Sequence, residues 1–283
     1  MARNVFSMNL NSYGWGSFDV AECLGQIKQT PIRLLELPAE QRRPNSLIPE
    51  LMVDESMDGR WQFSLTDLKT LLAEDGFGVE SLNVFGELYY PKGAKIIERR
   101  IDFARDLGAS VIVLGCGHKL DEQTRCFTYR MLKELGERAG SMGIKIALEV
   151  HPGVAANAAE ALRTMKEVNC ENVGINFDTA NIIYGNPDCD PAEELSAMAE
   201  HVFHVHLKDI KPGRTRAEHI LPPLGEGMVD FPRVFDILHG VGFTCPFSFE
   251  IESFHGMTKS QDIRDYQKYV LASIEYISFI GQM

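Results

Sequence analysis

Eight strand-like apolar runs, each followed by a helix-like pattern, leave this sequence few architectures to choose from. The runs are NVFSMNLN (4–11), IRLLELP (32–38), VESLNVFG (79–86), SVIVLGC (110–116), IKIALEVH (144–151), VGINFD (173–178), VFHVHLKD (202–209) and PFSFEIE (246–252). Helical patterns lie around residues 19–28, 64–74, 94–108, 122–142, 155–168, 191–201, 231–241 and 258–280. Asp190-Pro191 and Asp230-Phe231-Pro232 mark the starts of two of these helices, because Asp caps free amides and Pro suits the first turn. Strict alternation of strand and helix calls for parallel strands joined by crossovers. Eight such units in 283 residues predict an α/β fold of the (β/α)8 TIM-barrel type, a single domain over residues 1–283.

The last four runs carry the chemistry. Strand side chains alternate between faces. In the fifth run Ile144, Ile146, Leu148 and Val150 share one face, and Lys145, Ala147, Glu149 and His151 the other. The same alternation sets Val173, Ile175 and Phe177 against Asn176 and Asp178. It sets Phe203, Val205 and Leu207 against His204 and His206, and Phe247, Phe249 and Ile251 against Ser248, Glu250 and Glu252. One face is apolar enough to lie under helices, and the other is polar enough to hold a cation or a polyhydroxy ligand. Glu149, Asp178, His206 and Glu250 fall near the carboxyl ends of consecutive strands, which is where barrel enzymes build their sites. His206 is favoured over His204, and Glu250 over Glu252, by position along the strand. Asp178 also fits a capping role at the following turn.

Three converging carboxylates repel one another unless a cation joins them. With one imidazole they suit a single divalent ion such as Mn2+, Mg2+ or Co2+, with Zn2+ possible; structural zinc sites prefer thiolates and several imidazoles. The six cysteines show no paired or metal-type spacing and read as free thiols in a reducing compartment. A cytoplasmic location is expected, with no membrane partner, since no apolar run is long enough to span a bilayer. The formal charge of −12 argues against a nucleic-acid partner.

On the segments ALEVHPG (147–153), NFDTAN (176–181), FHVHLKD (203–209), LGEGMVDFPRVFDILHGVGF (224–243) and FSFEIES (247–253), the chain resembles the sugar phosphate isomerase/epimerase superfamily, the xylose isomerase-like TIM barrels. The resemblance spans nearly the whole chain and is most specific from Lys145 onward. It implies that Glu149, Asp178, His206 and Glu250 bind one divalent ion. It also implies that Glu149 and Glu250 flank the substrate as an acid–base pair. Two departures stand out. Asp178-Thr179-Ala180-Asn181 places an amide where ketose 3-epimerases and endonuclease IV carry a histidine. The second and third strands end in LLELP and LNVFG, without the extra histidines that endonuclease IV needs, which sets DNA repair aside.

The implied activity is isomerisation or epimerisation of a small sugar or sugar derivative, by proton abstraction next to a carbonyl through an enediolate. A lyase, dehydrating a keto-inositol or sugar acid on the same site, is the alternative, and a non-catalytic sugar-binding barrel a third. Candidate substrate-binding residues are His151, Asn181, Lys208 and Arg214 near the site, with Glu36, Asn83 and Trp15 from the first half. Asp209 is a candidate for orienting a ligand or Lys208. The segment GCGH (115–118) is too lightly patterned for a phosphate cradle. Barrels of this kind are often dimers or tetramers, so a homo-oligomer is compatible with the sequence.

Overall fold

The computed structural model describes residues 4–13, 18–39, 65–85, 88, 91–115, 121–213, 218–252 and 262–283. Eight parallel strands close into a barrel: β1 (Phe6–Asn9), β2 (Leu34–Pro38), β3 (Gly78–Phe85), β4 (Val111–Gly115), β5 (Lys145–Glu149), β6 (Val173–Asp178), β7 (Val202–Leu207) and β8 (Phe247–Phe249). The ring closes where β1 meets β8, with Phe6, Ser7 and Met8 opposite Phe247, Ser248 and Phe249. Between the strands lie α1 (Val20–Ile27), α2 (Leu65–Glu74), α3 (Pro91–Leu107), α4 (Glu122–Ser141), α5 (Ala158–Val168), α6 (Asn181–Gly185), α7 (Pro191–Met198), α8 (Phe231–Gly240) and α9 (Ile263–Phe279). The short α6 was not legible as a helix in the sequence.

Helix starts follow local chemistry. Asp190 accepts from the amides of Ala192 and Glu193, and Asp230 from that of Arg233, each ahead of a Pro in the first turn. Asp19 and Glu22 form a reciprocal capping box on α1. The apolar strand faces point outward. Ile146, Leu148, Ile175, Phe177, Val205, Leu207 and Phe249 are all fully buried beneath the helices, each contributing ~1.5–3 kcal/mol by leaving water. Inside the barrel the apolar filling is small: Val111, Val113 and Ala147, with Phe203 packed against them. Among the described residues most of the other inward positions are polar.

Phe203 departs from the expected alternation. The β6–β7 register shifts so that Ile175 pairs with Val202 while Asn176 pairs with His204. Phe203 is the extra residue of this bulge and turns into the barrel instead of joining Val205 and Leu207. Gly174 makes room for it, since a Cβ there would run into the Phe203 ring and the His201 carbonyl. A second bulge lies between β2 and β3, where Leu35 pairs with Val79 and Glu36 with Ser81. Glu80 is its extra residue, and its Oε1 accepts hydrogen bonds from Ser7 and Ser81.

Candidate active site

The carboxyl ends of β5 to β8 rise as a staircase. Glu149 pairs with Asn176, Asp178 lies two residues beyond Asn176 and pairs with His206, and Glu250 lies two beyond His206's partner Ser248. Strands in such a barrel tilt by ~36° to its axis, so a step of this kind keeps side chains from neighbouring strands at one height. Glu149, Asp178, His206 and Glu250 accordingly present ligand atoms that all lie within 4.8 Å of one another, and they could hold a metal ion. Asp178 and His206 are inaccessible to solvent, Glu250 is 3% exposed and Glu149 8%.

Each side chain is held from behind. Asp178 Oδ1 accepts from the amides of Ala180 (2.9 Å) and Asn181 (2.8 Å), so this oxygen shapes the turn into α6 while Oδ2 faces the cluster. The capping reading of Asp178 is thus met by one oxygen, and the other is left facing the cluster. The His206 ring sits between carboxylates. Nε2 lies 3.0 and 3.1 Å from the oxygens of Glu36, which is itself held by the Ser248 hydroxyl. Nδ1 points to Glu250 Oε2 (2.9 Å), Glu149 Oε1 (3.5 Å) and Asp178 Oδ2 (3.7 Å). Burial alone would favour neutral His206, but the charges of Glu250 and Glu36 outweigh it and raise its pKa well above the usual imidazole value. Glu250 responds in the opposite sense: burial raises its pKa, yet His206 and Lys208 hold it well below the ordinary carboxylate value.

Lys208 enters the same cluster and is nearly inaccessible. Its Nζ lies 2.9 Å from Asp178 Oδ2, 2.7 Å from Glu250 Oε2 and 3.2 Å from Glu252 Oε2. Thr179 fixes its backbone, donating to the Lys208 carbonyl and accepting from the Lys208 amide. The approach to Asp178 Oδ2 and Glu250 Oε2 is an ion pair without hydrogen-bond alignment, and both buried oxygens lack a hydrogen bond. Buried carboxylate oxygens normally have one. A set of three carboxylates and an imidazole, two of its buried oxygens met by ion pairs rather than aligned hydrogen bonds, matches the needs of a hard or borderline divalent cation.

Asn181 lies at the rim, where its Nδ2 donates to Glu149 Oε1 (3.2 Å) and approaches His151 Nδ1 (3.1 Å). His151 Nδ1 is 3.6 Å from Glu149 Oε2, and its side chain is 38% exposed, open towards the mouth. Glu36 does not face the mouth with these residues; it stands wholly buried behind His206. Asn83 is buried on β3 among the inward residues. Trp15 and Arg214 lie outside the described residues. Asp209 is engaged by the backbone. Its carboxylate accepts from the amides of Ile210, Gly225, Gly227 and Val229, and so pins the loop before α8. Gly225 takes a φ of +86° there, and a Cβ on Gly227 would strike the Asp209 carboxylate. Replacing Asp209 with Ala strands up to four amides, each costing ~1–3 kcal/mol if it stays dry. Asp209→Ala is therefore expected to lower unfolding stability by ~3–5 kcal/mol in urea titrations; a loss below ~1 kcal/mol would show that water takes over the amides.

A deeper layer was legible only in part. His204 Nε2 lies 2.9 Å from Glu80 Oε1, and its Nδ1 lies 2.9 Å from Asn176 Oδ1. Asn176 Nδ2 in turn lies 3.2 Å from His206 Nδ1. Asn176 and Ser248 were visible as inward positions by alternation. Glu80 was not, because regular alternation from Ser81 turns it outward. On β1, Asn9 Nδ2 lies 3.4 Å from Glu250 Oε1.

Residues 14–275 match the family model of the xylose isomerase-like TIM barrel, and the chain belongs to that family. An L-ribulose-5-phosphate 3-epimerase, UlaE, of Salmonella paratyphi A is 30% identical over 202 residues, covering 66% of this chain and 69% of the relative. Among solved structures, a xylose isomerase-like TIM-barrel protein from Mycobacterium smegmatis in complex with magnesium superposes with a TM-score of 0.75 at 18% identity, covering 100% of this chain and 99% of the other. A D-allulose 3-epimerase from Methylomonas sp. in complex with D-allulose gives a TM-score of 0.71 at 17% identity, covering 98% of each chain. The relatives agree with the expected sugar isomerase/epimerase class of enzyme. Two of these relatives are 3-epimerases, and Asn181 is where this sequence departs from the ketose 3-epimerase pattern. Among the described residues no helix is long and apolar enough to cross a membrane, and Cys23, Cys126, Cys170, Cys189 and Cys245 are free thiols.

Proposed function

We propose that this protein is a divalent-metal-dependent epimerase or isomerase of a small ketose or ketose phosphate. The observation that carries the proposal is the convergence of Glu149, Asp178, His206 and Glu250 within 4.8 Å at the mouth of the barrel. The similarity to L-ribulose-5-phosphate 3-epimerases supports the substrate class. A divalent ion bound by these four residues would polarise the substrate carbonyl and stabilise an enediolate. Glu149 and Glu250 occupy strands three apart on the ring, so a substrate seated between them meets a carboxylate on each side. One removes the proton next to the carbonyl, and the other delivers a proton to the opposite face. Asn181 steadies Glu149 through its amide, and Asn9 steadies Glu250. His151, beside Glu149 at the rim, is placed to touch a substrate hydroxyl.

The test is solvent exchange. Protein supplied with Mn2+ or Mg2+ is incubated in D2O with L-ribulose 5-phosphate, D-allulose, other ketoses and inososes, and followed by NMR. Deuterium is expected at a carbon next to the carbonyl with a new epimer, and both should disappear after EDTA. A dehydrated product would move the assignment to a lyase. Exchange that persists in EDTA would remove the ion from the mechanism.

Glu36 has a specific part in this scheme. It takes the outward nitrogen of His206 and leaves Nδ1 aimed at the cluster, the support that ligating histidines commonly receive from a carboxylate. Glu36→Gln is expected to weaken Mn2+ binding ~10–100-fold in calorimetry without unfolding the barrel. Unchanged affinity would reduce Glu36 to a packing residue.

A further inference from the structure

Lys208 brings a second basic side chain to the cluster beside His206, and its position is specific. Its Nζ sits 2.9 Å from Asp178 Oδ2 and 2.7 Å from Glu250 Oε2. Both are buried oxygens without a hydrogen bond, and both face His206 Nδ1. A divalent ion bound by Asp178, His206 and Glu250 would draw on the same two carboxylates. Ion and ammonium would then stand a few ångströms apart in a buried site, where like charges repel more strongly than in water.

The side chain has a third carboxylate within reach. Glu252 Oε2 lies 3.2 Å from Nζ, and Glu252 is the more exposed of the three partners, with 17% of its side chain accessible against 0% for Asp178 and 4% for Glu250. Movement towards Glu252 therefore carries the ammonium outward, away from the cluster. Such movement needs only the side chain, because the Lys208 backbone is fixed by Thr179 on both its amide and its carbonyl.

We propose that Lys208 is a built-in competitor of the metal ion: its ammonium shares Asp178 and Glu250 with the divalent cation, and Glu252 is the acceptor that receives it when the ion binds. The proposal rests on the metal site argued above and adds a mechanism that tunes its affinity. A purely structural lysine would behave differently, since removing a support loosens a site. Removing a competitor tightens it.

The sign of the change in affinity is therefore the test. Mn2+ binding is measured by isothermal titration calorimetry on wild type, Lys208→Gln and Glu252→Gln. Thermal melts with and without Mn2+ accompany each titration. Lys208→Gln is expected to bind Mn2+ at least ~10-fold more tightly, because a unit positive charge has left the site. Without added ion its melting temperature should fall, as the carboxylates lose a counter-charge, and Mn2+ should restore more than it adds to wild type. Glu252→Gln is expected to bind Mn2+ several-fold more weakly, because the ammonium loses its alternative partner. Should Lys208→Gln fail to fold without ion, it is refolded with Mn2+ and its affinity obtained by competition with a chelator. Equal or weaker binding by Lys208→Gln, with wild type binding normally, overturns the competition and leaves the metal site standing. A wild type that binds no Mn2+ overturns the metal site, and the competition with it.

Discussion

Glu149→Gln and Glu250→Gln are each expected to lower turnover by ~1,000-fold or more when assayed at saturating Mn2+. Glutamine keeps the shape and one oxygen ligand, but it can neither take nor return the proton. Substrate affinity should change far less, since the sugar hydroxyls keep their partners. The two variants should differ in ion binding. Glu250 Oε2 lies 2.9 Å from His206 Nδ1 and 2.7 Å from Lys208, whereas Glu149 Oε1 is 3.5 Å from the imidazole. Glu250→Gln thus disturbs a more tightly coupled set of charges and should weaken Mn2+ binding more. Steady-state rates beside calorimetric affinities separate the two effects. Turnover within ~10-fold of wild type in either variant would end the acid–base assignment for that residue.

Asp178→Asn is the second substitution with a large expected effect, and here the geometry dictates which way the amide turns. Asp178 Oδ1 accepts from two backbone amides, Ala180 and Asn181. An asparagine must keep its oxygen there, because its NH2 would face two donors. Its NH2 is then aimed where Oδ2 now points, into the cluster. A hydrogen-bond donor replaces an anionic ligand, and Mn2+ affinity is expected to fall by ~100-fold or more, a difference of about 2.7 kcal/mol. The turn into α6 should survive, so the variant is expected to melt close to wild type without ion. A marked loss of stability with unchanged affinity would mean that Asp178 serves the turn alone.

The sequence made the barrel legible because its two periods are clean. Outward faces such as Ile146, Leu148 and Ile175, Phe177 alternate with polar partners, and caps such as Asp190 and Asp230 sit where helices begin. The cluster was legible for the same reason, since alternation and position along the strand single out Glu149, Asp178, His206 and Glu250. What stayed hidden breaks a period or spans the chain. Phe203 was assigned to the wrong face because a bulge cannot be read from one strand; it is a mismatch between two. Glu80 was passed over for that reason. Glu36 was read as a sugar contact because its inward face was visible, while His206, 170 positions away, was not visible as its partner. Asp209 looked like a site residue because it follows the seventh strand. Its four amide partners come from the residue after it and from a loop up to 20 residues on.

The bulges in β3 and β7 bear on how such a barrel can change over generations. Regular pairing allots the lumen every second residue of a strand. A bulge adds one more, so β3 delivers Glu80 as well as Ser81, and β7 delivers Phe203 as well as His204. The residues on either side keep their outward faces. Gaining or losing one codon at these points would thus add or remove an interior side chain without turning the remainder of the strand inside out. Substitution can alter what an interior position holds; insertion at a bulge alters how many such positions exist. In this chain the added interior side chains are the carboxylate that meets His204 and the ring that closes the floor beside Ala147.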